Sequence, residues 1–371
     1  MNSSTMSDGQ RELQPLRAVP ADGHRNFPVA LERAPAQHRH LGLRAGTKGR
    51  RMNVYLTFDV EVWCDGWSDL DGRFPASFDR YYFGRSKAGN YALPKTLEIL
   101  NANRLVGVFF VEPLFAARFG KKHLDVVTRM IRDAGQDVQL HIHPEWTDEI
   151  RPPIIADISR KRQHLTHYSL DEQSTLIGFA KRLLEDSTGS PVTAFRAGSF
   201  AANRDTLAAL RRNQILLDSS LNSAFDHTDS SIVGMQDFHS QSTIDGVECF
   251  PVTVIRDGFR RRRPAHVNAC SSSEMHCALL DAVRASVRNF VIVSHNFEML
   301  KPGSTEPDWI VVRRFESLCA FLAERADLFQ VGRFAAGGSG SSAVQAIEAR
   351  PCAPPWATAR RHIEQLARRL T

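Results

Sequence analysis

The sequence predicts an α/β fold of the (β/α) barrel kind, with seven or eight units, and three observations carry that prediction. From Met52 onward, short β-branched and aromatic runs alternate with longer stretches of helical spacing. Eight such runs can be counted, enough for a closed or nearly closed ring of parallel strands. Ionisable residues sit at the C-terminal ends of five of them while their beginnings are apolar, and a barrel builds its functional face at those ends. An open doubly wound sheet is the alternative, although no Gly-rich phosphate loop follows the first run.

In chain order the runs are VYLTFDVEV from Val54, VGVFFVE from Val106, DVQLHIH from Asp137, VTAFRA from Val192, ILLDSS from Ile215, VECFPVTVI from Val247, FVIVSH from Phe290 and LFQVGRF from Leu328. Between them, LPKTLEILNAN from Leu93, HLDVVTRMIRDAG from His123 and DEQSTLIGFAKRLLEDSTG from Asp171 have the spacing of amphipathic helices. Gly135 and Gly189 stand where helix C-caps belong. A long polar, proline-bearing loop from Glu145 to about Leu170 is expected to cover the site.

The 371 residues are 42% apolar and 24% charged, enough to bury a substantial core. The net charge of +6 is concentrated at the ends: residues 1–51 hold nine Lys or Arg against four Asp or Glu, and residues 336–371 hold five against two. A body near neutrality argues against a nucleic-acid surface. Residues 1–51 are expected to form a disordered basic extension, 52–335 the barrel, and 336–371 a flexible linker and basic tail with a short helix. The six cysteines are scattered without a C-x-x-C pair, so reduced thiols are expected. No apolar stretch is long enough for a transmembrane segment, and the N-terminus lacks the pattern of a secretory signal, so a cytoplasmic location is expected.

Asp59 and Glu61 end the first run, His141 and His143 the third, Arg196 the fourth, Asp218 the fifth and His295 the seventh. Side chains at i and i+2 of a strand share a face, so Asp59 points with Glu61 and His141 with His143. An H-x-H pair on a strand offers two nitrogens to a metal, and a carboxylate from the first strand can complete three protein ligands.

The ordered set TFDVE, LHIHPEW, FRAGSF, DSSLN and SHNFEML resembles the successive motifs of NodB-type polysaccharide deacetylases, over roughly Asn53 to Phe334. The resemblance implies a distorted (β/α)7–8 barrel and removal of an N-acetyl, or less favourably O-acetyl, group from a glycan or from a nucleotide- or lipid-linked sugar. It implies one divalent metal ion, with zinc the first expectation and cobalt, nickel or manganese open. Carried over, Asp59 is the general base, Glu61, His141 and His143 hold the metal, His295 is the general acid, Arg196 orients Asp59, and Asp218 holds a partner in place. Two departures bear on the ligands. Val60 stands where the family's usual first motif has a second aspartate, which moves that role to Glu61. The usual histidine spacing of four is shortened to two, and Glu145 lies four after His141, so either His143 or Glu145 can be the third ligand; imidazole chemistry and strand face favour His143.

Trp63, Trp67, Trp146 and Phe200 lie just beyond these strands, where they can stack on sugar faces or pack under loops. Arg261 lies in the run Arg260–Arg263, expected on the active face, where guanidinium groups can hold an anionic sugar or simply be solvated. The rival functions are a metal-free glycoside hydrolase using Asp59 and Asp218, and a sugar-binding barrel without turnover.

Overall fold

β1 (Met52–Val60) is the centre of the architecture because all of its nine residues but the part-buried Asn53 are buried, on both faces, as a parallel strand between core layers must be. The structure is a computed structural model and describes residues 50–224, 241–335 and 350–370. Residues 1–49 of the expected extension and 336–349 of the expected linker lie outside the described residues.

After β1 come α1 (Leu70–Phe78), a small hairpin of β2 (Arg85–Ser86) and β3 (Gly89–Asn90), α2 (Leu93–Ala102), β4 (Gly107–Val111), α3 (Phe115–Phe119), α4 (Lys121–Asp133) and β5 (Asp137–Ile142). There follow α5 (Leu170–Thr188), β6 (Ala194–Ala197), α6 (Arg204–Arg212), β7 (Leu217–Asp218), β8 (Ser242–Ile244), β9 (Val247–Cys249), β10 (Val254–Arg256) and β11 (Arg262–Pro264). The chain then forms α7 (Ser272–Arg284), β12 (Asn289–His295), α8 (Trp309–Glu324), β13 (Phe329–Val331) and α9 (Pro355–Leu370).

Each of the eight runs contributes a strand. The main sheet runs β12-β1-β4-β5-β6-β7-β9, all parallel, with β13 alongside the start of β1 and β8 antiparallel at the edge. The ring is completed between β9 and β12 by irregular chain: Thr253 N donates to Val291 O at 3.1 Å and Val293 N to Ala265 O at 2.9 Å. The fold is thus a distorted (β/α) barrel. The distortion has a local cause, since Pro251 lacks an N–H for a ladder and splits VECFPVTVI into β9 and an outward hairpin of β10 and β11. β8 was not anticipated; it pairs with β9 through Asp245-Gly246, both at positive φ, as a two-residue hairpin turn demands.

Two cores follow from strand alternation. Outward residues such as Phe58, Phe109 and Phe195 pack under the helices. Inward Tyr55, Val108, Phe110, Leu217, Phe250, Val291 and Val293 form a second cluster, closed by Phe334, whose ring lies 4.5 Å from Tyr55 and 4.7 Å from Phe250. This inner cluster fills the barrel below the C-terminal ends of the strands, which are left for polar groups. α5 begins with a capping box of Ser169 and Glu172 and ends at Gly189 in the left-handed region, and Gly135 follows α4 with positive φ.

α9 is docked, with Arg361 3% exposed and paired to Asp257 at 3.1 Å and Glu274 at 3.0 Å, while Thr358 donates to Glu274 at 2.8 Å. Pro351 and Ala353 bond the backbone of Arg256. Part of the basicity that looked like a solvated tail is the counter-charge of buried carboxylates. No helix among the described residues is long and apolar enough to cross a membrane.

Candidate active site

Strand register brings the polar ends together. Asp59 of β1 is directly opposite His295 of β12, and His141 of β5 is opposite Arg196 of β6. Glu61, one step past β1 on the face of Asp59, reaches across to β5: its Oε2 is 2.6 Å from His143 Nε2 and 3.4 Å from His141 Nε2. All three side chains are buried. His141 Nδ1 lies 2.8 Å from the carbonyl of Arg196, which can only accept, so Nδ1 carries the proton and Nε2 presents its lone pair to Glu61.

Glu61 Oε2 and His141 Nε2 are buried without a hydrogen-bond partner. Buried polar atoms rarely stay unmatched, and two such atoms converging beside His143 Nε2 form a donor set that could hold a divalent cation. Burial opposes charge on Glu61, but His143 above all outweighs it and holds the carboxyl well below its ordinary range. Burial likewise opposes charge on His143, and Glu61 and Glu145 outweigh it and raise the imidazole well above its usual value. The cluster is arranged for positive charge between carboxylate and imidazole.

The surroundings fix these donors. Trp63 Nε1 donates to Glu61 Oε1 at 2.9 Å, and the Trp63 ring meets His143 edge-on at 4.8 Å. Asn296 accepts from Glu61 N at 3.1 Å and donates to Glu61 O at 3.2 Å. Glu145 Oε2 is 3.4 Å from His143 Nδ1, on the side of the ring away from Glu61. Gly198, at the top of β6, has no room for a side chain: a Cβ would stand 2.7 Å from His143 Nδ1 and 2.8 Å from Ile142 O. Asn296 and Gly198 lie inside quoted motifs, yet spacing alone gave them no role.

Asp59 Oδ1 accepts from Arg196 Nη1 at 2.8 Å. Arg196 is fully buried, donates from Nε to Ser219 O at 3.1 Å and from Nη2 to Ser219 Oγ at 2.9 Å, and lies 4.4 Å over the Phe110 ring. Asp218 is one residue out of that inward register. It accepts from Ser220 N at 3.0 Å and Ser220 Oγ at 2.6 Å, and Ser220 Oγ in turn accepts from Ala197 N, so it braces the ends of β6 and β7. Burial raises its carboxyl to about 6 despite those bonds.

His295 is the site's most open member, with its side chain 27% exposed. Its Nδ1 bonds Glu298 Oε1 at 2.8 Å; the same oxygen meets His266 Nε2 at 2.6 Å, and Ser294 Oγ donates to Glu298 Oε2 at 2.8 Å. Burial would lower the imidazole's pKa, but Glu298, helped by Glu61 and Asp59, raises it to about 9. Burial would raise Glu298, and the two histidines instead hold it well below the carboxylate range. His266, His295 and Glu298 also have metal-ligand types and spacing, but His266 Nε2 and His295 Nδ1 both lie at hydrogen-bond length from Glu298 Oε1, and Glu298 Oε2 accepts from Ser294 Oγ. We therefore read this trio as a carboxylate shared by two imidazoles. Neither Glu298 nor His266 was singled out from sequence; the only signal was a Glu three residues after the strand-end His.

The remaining candidates divide. Trp146 is 1% exposed, its ring against Trp67 at 4.8 Å and Phe119 at 6.1 Å, which leaves it no free face for a sugar. Phe200 lies 5.9 Å from the Arg196 guanidinium and packs on the inner core. Arg261 is exposed at the tip of the β10–β11 hairpin, whose Gly258 N donates to Thr358 of α9, so it is not among the groups the strand ends assemble. A cavity of about 380 Å³ adjoins His295, lined by Arg80, Tyr81, Phe297, Glu298 and Lys301.

No family model and no curated protein matches the sequence. Among solved structures, the chain is similar to a provisionally assigned polysaccharide deacetylase from Mycobacterium smegmatis, with 19% identity, a TM-score of 0.46, and 86% of this chain and 92% of that one covered. It is also similar to a family 4 carbohydrate esterase from Streptomyces lividans in complex with acetate, with 14% identity, a TM-score of 0.40, and 76% and 93% covered. A third is a family 4 pseudoenzyme from Bacillus anthracis, with 16% identity, a TM-score of 0.35, and 75% and 62% covered.

Proposed function

We propose that this chain is a metal-dependent hydrolase that removes an N-acetyl group, with O-acetyl the second choice, from a glycan or a nucleotide- or lipid-linked sugar. One observation carries the reading. Unmatched buried lone pairs of Glu61 and His141 meet His143 within reach of two further groups suited to move protons, Asp59 beside Arg196 and His295 beside Glu298. The donor set fits a divalent ion, zinc first, held by Glu61, His141 and His143. Bound there, such an ion supplies Lewis acidity to the acetyl carbonyl and acidifies water.

The chain's own residues do the rest. Asp59, fixed through Arg196, accepts the proton of the attacking water. His295, protonated at neutral pH because Glu298 raises it to about 9, donates a proton to the departing amine. The C–N bond breaks, and acetate and a free amine leave. The two-carboxylate glycoside hydrolase is disfavoured because both oxygens of Asp218 are engaged by Ser220.

The test combines metal analysis with acetate release across acetylated oligosaccharides and nucleotide sugars. The expected result is about one ion per chain, lost in His141→Ala, together with acetate from at least one substrate. Stoichiometric metal with no acetate from any substrate would leave the sugar-binding barrel instead.

A further inference from the structure

α9 carries an apolar face that nothing among the described residues covers. Trp356, Ile363 and Leu366 are 58%, 67% and 60% exposed. At roughly 100° per residue these positions fall within an arc of about 80° on one side of the helix. The hairpin tip extends this face: Phe259, 54% exposed, stacks on His362 with ring centroids 5.9 Å apart. The opposite side of α9 is pinned by Arg361 and Thr358 to Asp257 and Glu274, so the apolar side cannot turn inward without breaking buried ion pairs.

The charges on this surface are of one sign. Arg260, Arg261, Arg262 and Arg360 are exposed around the apolar residues. The acids nearby are taken up: Asp257 is buried against Arg361, and Glu364 pairs with Arg314 at 2.8 Å and Arg360 at 3.4 Å. A tryptophan with aliphatic side chains ringed by arginines is the composition of an interfacial helix, whose apolar residues enter the headgroup layer while its cations meet lipid phosphates.

We propose that the outer face of α9 and the tip of the β10–β11 hairpin form a docking surface for an anionic phospholipid membrane. The charge pattern chooses this occupant over a second copy, because a two-fold contact would set Arg260 and Arg261 against their own copies with, among the described residues, only Asp281 and the already paired Glu364 nearby to offset them. Of the four-arginine run, Arg260 and Arg261 thus face lipid phosphate, while Arg263 donates to the Ala269 carbonyl.

The full-length chain is floated with phosphatidylcholine vesicles with and without phosphatidylglycerol. Binding should be at least about tenfold stronger to the anionic vesicles and should weaken with salt. The combined Trp356→Ser, Ile363→Ser and Leu366→Ser variant should lose it at unchanged Tm, and Arg260→Gln with Arg261→Gln and Arg360→Gln should flatten the salt dependence. As a check independent of those variants, brominated lipid should quench tryptophan fluorescence of the native chain but not of Trp356→Phe. Equal binding to neutral and anionic vesicles, or none to either, would overturn the proposal. So would a concentration-dependent dimer in light scattering that the triple apolar variant abolishes.

Discussion

Replacing Glu145 with Gln separates two ways of building the metal centre. Glu145 Oε2 lies 3.4 Å from His143 Nδ1, while His143 Nε2 lies 2.6 Å from Glu61 on the other side of the ring. On the proposed assignment Glu145 backs the His143 ring, and Glu61, His141 and His143 hold the ion. Removing such a supporting carboxylate costs metal affinity by roughly 10- to 100-fold, equivalent to about 1.4–2.7 kcal/mol. The 3.4 Å separation exceeds a good N–H···O bond, and Gln keeps both the shape and one acceptor, so the effect belongs at the lower end, near tenfold. His143→Ala removes a donor outright and should not retain metal through dialysis against a chelator. The assay is competition for zinc with a chromophoric chelator, with bound metal counted by mass spectrometry. The assignment is refuted if Glu145→Gln loses metal as completely as His141→Ala while His143→Ala keeps it, which would make Glu145 the third ligand.

Other outcomes follow from the same geometry. Glu298→Gln removes the anion that raises His295 to about 9. A group with a raised pKa is protonated below that value, so the alkaline limb of the kcat/KM profile should move to lower pH by about 1–3 units; an unmoved limb would show that His295 is not the acid. Gly198→Ala pushes a methyl to within 2.7 Å of His143 Nδ1 and 2.8 Å of the Ile142 carbonyl, so it should weaken metal binding, read by the same chelator competition, and also lower Tm; unchanged affinity would mean the ring is free to shift. Arg361→Met strands Asp257 and Glu274, both fully buried, and should destabilise the fold by about 3–5 kcal/mol in urea unfolding. A loss below about 1 kcal/mol would mean α9 contributes little to the barrel's stability.

Several features were legible in the sequence because they are properties of the local backbone. The alternation of strand side chains puts Asp59 with Glu61 and His141 with His143 wherever those strands lie, and apolar runs of this length had to become buried strands. The turn Asp245-Gly246, just before VECFPVTVI, is also a hairpin signal in the sequence, and Pro251 could have shown that this run is two strands.

What the sequence by itself determined, then, is which groups travel together on one strand and at which end. Which strands become neighbours, and at what register, is decided only when the sheet closes. That register sets Glu61 against both histidines and His295 against Asp59. It leaves Asp218 a single step out of line, bonded to Ser220. Contacts across elements distant in the chain lie equally beyond local pattern: His266 reaches Glu298 through the irregular segment beside β12, and Arg361 finds Asp257 and Glu274 about a hundred residues earlier. The physical reason is the same in each case. Spacing along a chain fixes direction relative to the local backbone, while a binding site is defined by distances between backbones, and only the packed tertiary structure sets those.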